Sequence, residues 1–161
     1  MLRSPTHFLK AIHKYFYDSD ESLCVAESCT GGLLSFWLTE TPGASQYFKG
    51  GVIAYQTAIK VEQLGLSAQT LQREGFVTEH CVSSMALSVK KKFKADWALS
   101  TSGITGPSKG ERGENVGKIA FSVCSPKAHK SLVKQFNDID RQALRYKASL
   151  FALDFLVSEF K

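Results

Sequence analysis

No run of apolar residues in these 161 positions approaches the length needed to span a bilayer. The opening MLRSPTHFLKAIHKYF is amphipathic and interrupted by charge, so neither a membrane segment nor a secretory leader is expected. Cysteine is sparse, and its spacing is wrong for metal. Cys24, Cys29, Cys81 and Cys124 form no CxxC pair, and three of them sit in apolar segments. That excludes a disulfide scaffold or zinc module and leaves reduced, buried thiols in a cytoplasmic protein as the expectation. The histidines His7, His13, His80 and His129 lie on separate helix-like or turn segments without partner spacing, so no metal site is expected. Internal repeats and low-complexity tracts are also missing, and the charged residues (22%) are spread along the chain, which excludes long disordered tails.

What remains is a chain that is 43% hydrophobic, enough for one domain over residues 1–161 with a sizeable core but not for two. The net charge of +5 permits an anionic partner. Nucleic acid is not the expected one. The densest basic cluster, KKKFK at 90–94, reads as a helix end, where cations complement the dipole, and no aromatic-basic stacking pattern accompanies it.

Periodicity places a first helix over Ser4 to Tyr17, with Phe8, Leu9, Ile12, Tyr15 and Phe16 at helical spacing. LCVAES reads as a short buried strand, and TGGLLSFWLTE as a helix beginning at or just after Thr30. QYFKGGVIAY reads as a second strand, its glycines suggesting a bend or close backbone approach. Short helical pieces run from Thr57 to Gly75 and break at 65–67. Thr78 precedes a longer helix that turns Val82, Met85, Ala86 and Val89 inward. DWALSTSGI is strand-like and ends in a polar glycine-rich loop. VGKIAFSVCS and KSLVKQF form a hairpin, and Asp140 starts a last amphipathic helix. This alternation predicts a three-layer α/β/α domain with a mixed, mostly parallel sheet.

Four polar stretches fall just after strands or at helix starts, where open α/β sheets bind ligands: AESCTGG, TPGAS, AYQTAIK and STSGITGP. In the first, a strand meets a helix through Thr30-Gly31-Gly32. Free N–H groups there suit a phosphate or carboxylate, although the glycines alone also serve a tight turn. With no histidine near these motifs, a serine nucleophile needs another base. A lysine serves if its pKa falls from about 10.4 toward roughly 7–8. Lys60, expected near a helix start, has a dipole that pushes it that way. From the residues alone, a surface lysine and a loop serine are the plainer reading.

VAESCTGG, PGAS, GGVIAYQTAIK, GITGP and VGKIAFSV, in that order and spacing, resemble the C-terminal domain of the CinA (competence/damage-inducible) family, from about Leu23 to the C-terminus. Stand-alone versions of that domain are nicotinamide mononucleotide deamidases. The resemblance therefore implies an amidase of pyridine nucleotide recycling that uses Ser-Lys chemistry, needs no cofactor and forms a homo-oligomer. It matches Ser45 to the nucleophile, Lys60 to the general base and Tyr55 to the partner tyrosine. It makes Glu27, Ser28, Cys29, Thr30, Gly31 and Gly32 a ligand cradle, with Glu27 orienting backbone or ribose hydroxyls. Ser102, Gly103 and Gly106 become a substrate loop, and Arg145 a guanidinium for the substrate phosphate. The chain departs from the family at 108–115. Ser108, Lys109 and Asn115 stand where the family commonly has aspartate, glycine and proline, so substrate or rate is open to change there. A nucleotide-binding module that has lost catalysis is the alternative.

Overall fold

The computed structural model describes residues 4–138 and 140–160. Helix α1 (Thr6–Ser19) turns Leu9, Ile12 and Phe16 into the core, and strand β1 (Leu23–Glu27) is buried along its whole length. Helix α2 (Leu33–Thr39) is followed by a single 3₁₀ turn (Ala44–Gln46) and strand β2 (Phe48–Ile53). Helices α3 (Thr57–Leu64), α4 (Ala68–Glu74) and α5 (Glu79–Phe93) lead to strand β3 (Trp97–Gly103). Strands β4 (Lys118–Cys124) and β5 (His129–Gln135) and helix α6 (Arg141–Ser158) complete the chain.

The sheet order is β2-β1-β3-β4-β5. β1 pairs in parallel with β2 and β3, whereas β3–β4 and β4–β5 are antiparallel, so only β4 runs against the rest. The expected mixed, mostly parallel sheet is the one observed. Alternation along the central strands sends Val25 and Leu99 to one face, under α1, α2 and α6. Cys24, Ala26 and Ala98 face the other way, toward α5 with Met85 and Val89. Each of these faces is closed by helices, which is why β1 reads as an apolar run from Leu23 to Ala26.

Helix boundaries follow local chemistry. The side chains of Ser67, Thr78 and Asp140 accept from Thr70, Cys81 and Ala143 N–H groups and so start α4, α5 and α6. α2 begins at Leu33 rather than Thr30, because Gly31 N–H bonds back to Ser28 O and Leu33 N–H to Thr30 O, forming a turn first. Strand β2 likewise starts at Phe48, since residues 44–46 are bound into the 3₁₀ turn.

Candidate active site

Lys60 lies on the first turns of α3 and is only 1% exposed. Its Nζ donates to Ser28 Oγ at 2.9 Å and to the Ala54 carbonyl at 2.7 Å, with the Tyr55 carbonyl at 3.5 Å. The Phe76 ring centroid lies 5.4 Å from Nζ. Burial lowers the lysine below its ordinary 10.5, against a smaller opposing pull from the Cys81 and Cys29 thiols. Burial also pushes the Cys29 thiol up to about 12, so at neutral pH it stays protonated and is a poor nucleophile beside Ser28.

Above this pair opens a cavity of about 250 Å³ at the C-terminal ends of β1, β2 and β3, lined by Ser28, Cys29, Tyr55, Phe76, Gly103 and Gly106, with Lys109, Glu111 and Arg141 among its charged groups. Tyr55 is 54% exposed, and its phenol accepts a 2.6 Å hydrogen bond from Arg141 Nη2. Arg141 Nη1 also donates to Thr105 Oγ1 at 2.9 Å and to the Gly106 carbonyl at 2.7 Å, so one guanidinium joins Tyr55 to the loop after β3. Tyr55 thus approaches Lys60 through its carbonyl, while its phenol belongs to Arg141.

Ser45 does not meet Lys60. It stands exposed in the 3₁₀ turn that precedes β2, whereas Lys60 holds the Ala54 carbonyl just beyond the end of that strand. β2 runs parallel to β1 from Leu23↔Phe48 to Glu27↔Ile53, so roughly 17 Å of strand separates the two groups. The PGAS loop enters its strand at the N-terminal edge of the sheet, the edge away from the cavity. The hydroxyl on Lys60 is that of Ser28.

The glycine-rich turn is also not an anion cradle. Glu27, fully buried, accepts Gly32 N–H at 3.0 Å and Leu34 N–H at 3.1 Å through Oε2, and Ser35 N–H at 2.8 Å and its hydroxyl at 2.6 Å through Oε1. Thr30 Oγ1 donates to the same carboxylate at 2.7 Å. The chain's own carboxylate takes up the positive end of α2, which leaves it no room for a phosphate and leaves Glu27 nothing to offer a ribose. Arg145 Nη2 donates to the Thr30 carbonyl at 3.1 Å, and a Cβ on Gly31 (φ +59°) would sit 2.8 Å from that nitrogen. Gly31, Gly32, Thr30 and Arg145 build the turn and do not line the cavity; Arg141, one helical turn earlier, does. Ser102 is fully buried near the end of β3, and Gly103, the next residue, lines the cavity.

Sequence reasoning missed Arg141, Phe76, Thr105 and Glu111. For Arg141 a signal existed, since it follows the helix-starting Asp140. The position of Phe76 depends on how α4 and α5 pack, which no local pattern reports.

A family model described as the CinA C-terminal domain matches residues 6–160. A CinA-like protein of Fervidobacterium nodosum is 39% identical over 151 residues, covering 91% of this chain and 37% of the relative. One from Prochlorococcus marinus strain NATL2A is 40% identical over 144 residues, covering 89% and 34%. The chain thus spans about a third of the length of these relatives. Among solved structures, a competence or damage-inducible protein from Enterobacter asburiae superposes with a TM-score of 0.94 at 28% identity, covering 99% of this chain and all of that one. A competence/damage inducible protein from Agrobacterium tumefaciens gives 0.92 at 26% identity, covering 98% and 97%.

Proposed function

The chain belongs to the CinA C-terminal domain family, and from that premise we propose that it is an amidohydrolase whose nucleophile is Ser28 and whose base is Lys60. The resemblance carries the substrate: nicotinamide mononucleotide and water give nicotinic acid mononucleotide and ammonia. The observation that carries the mechanism is the buried 2.9 Å contact between Lys60 Nζ and Ser28 Oγ. An ammonium has three hydrogens, and Lys60 has three acceptors around it. Once neutral, it keeps two N–H groups for the Ala54 and Tyr55 carbonyls, which only accept. The lone pair then falls to Ser28, the one partner able to reverse its role and donate.

Ser28 Oγ attacks the carboxamide carbon as Lys60 takes its proton, an acyl-enzyme forms as ammonia leaves, and water hydrolyses it. The N–H of Cys29, the residue after the nucleophile, is the proposed oxyanion donor, as in other acyl-transfer sites. Arg141 and Lys109 are the cations at the cavity suited to a substrate phosphate.

The test is ammonia release from nicotinamide mononucleotide. Ser28→Ala should lower kcat by about 10³-fold or more. Ser45→Ala should leave it unchanged. The reverse pattern would overturn the assignment.

A further inference from the structure

Between Leu23↔Trp97 and Ala26↔Ser100, β1 and β3 pair in parallel without a slip. Ser28 N–H donates to the Thr101 carbonyl at 3.0 Å, which carries the same register one step past the end of β1. Ser28 is therefore level with Ser102 on the neighbouring strand, about 4.8 Å away along the hydrogen-bonding direction. Their faces agree as well. Ser100 Oγ donates to the Val82 carbonyl of α5 at 2.6 Å, and Ser102, two residues on, points to the same side. That is the side from which Lys60 reaches Ser28, with Phe76 beside it.

Ser102 is fully buried, and among the described residues its hydroxyl has no hydrogen-bond partner. Buried hydroxyls are almost always partnered, so an orphan of this kind calls for an explanation. Here it stands beside a serine–lysine pair whose chemistry lacks one participant. An amide nitrogen does not leave as an anion. It needs a proton, and Lys60 is bound behind Ser28 by two carbonyls.

We propose that Ser102 is the proton relay to the leaving nitrogen, an inference that rests on the amidohydrolase reading above. Ser28 Oγ bonds to the carboxamide carbon, and its proton passes to Lys60. As the C–N bond breaks, the nitrogen takes its electron pair and the proton of the Ser102 hydroxyl. Lys60, which in the resting site reaches Ser28 and not Ser102, turns its third N–H to the neighbouring hydroxyl once Ser28 is acylated and returns its proton to Ser102. Ammonia departs, Lys60 is neutral again, and no outside acid is consumed.

The test compares two substrates of the same acid: nicotinamide mononucleotide, and the phenyl ester of nicotinic acid mononucleotide, whose phenoxide leaves without a proton. Ser102→Ala should lower kcat on the amide by about 100-fold or more while leaving the ester within about threefold of the unaltered protein. Ser102→Thr, which keeps the hydroxyl, should restore most of the amide rate. An equal loss on both substrates would mean that Ser102 only supports the site, and no loss on the amide would mean that it takes no part; either overturns the relay. If the unaltered protein releases no ammonia, the amidohydrolase reading fails and the relay with it. Ser102→Ala removes no hydrogen bond between described residues, so its thermal midpoint should not fall. Should it nevertheless not fold, Ser102→Cys supplies the same comparison with a weaker donor.

Discussion

In the proposed mechanism Lys60 is the residue on which the chemistry depends, and two substitutions separate base from anion holder. A guanidinium keeps the charge but does not give up its proton at accessible pH. As a base, Lys60 must be replaced with equal damage by arginine and alanine. Both variants should lower kcat by about 10³-fold. A lysine that merely holds an anion would be rescued by arginine, with alanine acting mainly on KM. The pH profile gives a second reading. Burial disfavours the ammonium, so the neutral, competent form appears below the ordinary 10.5. kcat/KM should therefore rise with pH and level off sooner than an exposed lysine would allow; a rate that falls over that range would contradict the assignment. Lys60 in AYQTAIK was legible as a base through the family resemblance; the residues alone read more plainly as a surface lysine. Its partner was not legible. Ser28 follows Glu27 and Ser45 follows Ala44, each in a polar stretch beside a strand, and only the direction of β1 and β2 decides which stretch opens on the cavity.

Glu27 stabilises an element rather than a substrate. Five donors converge on its buried carboxylate, four of them from the start of α2 and one from Thr30. Glu27→Gln keeps the shape but places an NH₂ group against N–H donors, and stability should fall by about 2–4 kcal/mol. Urea unfolding should record a lower midpoint with an unchanged slope. Asp140→Ala removes the cap of α6 and should cost about 1 kcal/mol. Because Arg141 is the next residue, KM should rise in the same variant, measured at a temperature where it stays folded. The caps at Thr78 and Asp140 were legible in the sequence because a hydroxyl or carboxylate before an apolar periodic run is a local signal. The role of Glu27 was not. A carboxylate four residues before two glycines looks the same whether the turn receives a ligand's anion or its own.

At the scale of the molecule, all four cysteines are buried and reduced. Burial pushes Cys24 and Cys29 up to about 12 and Cys81 to about 11. Native protein should resist alkylation at neutral pH, and all four thiols should react once it is unfolded, so the labelling rate should follow global opening rather than loss of activity. Rapid labelling of Cys29 in the native state would show that the cavity floor opens by itself. Chelation should leave turnover unchanged, since among the described residues no group of three metal-ligating side chains converges. The layered architecture was legible because apolar runs, caps and turn residues agree with one another along the chain. The order of strands across the sheet was not, since pairing between distant segments leaves no local trace. That same pairing has a temporal consequence. Ser28 and Ser102 stand side by side only because β1 and β3 join segments 74 positions apart, whereas β4 and β5 meet across a short turn. Closing the longer loop is the slower search. During refolding from urea, the circular dichroism signal of helices should return ahead of ammonia release, and the interval between them is the time the chain takes to find one register.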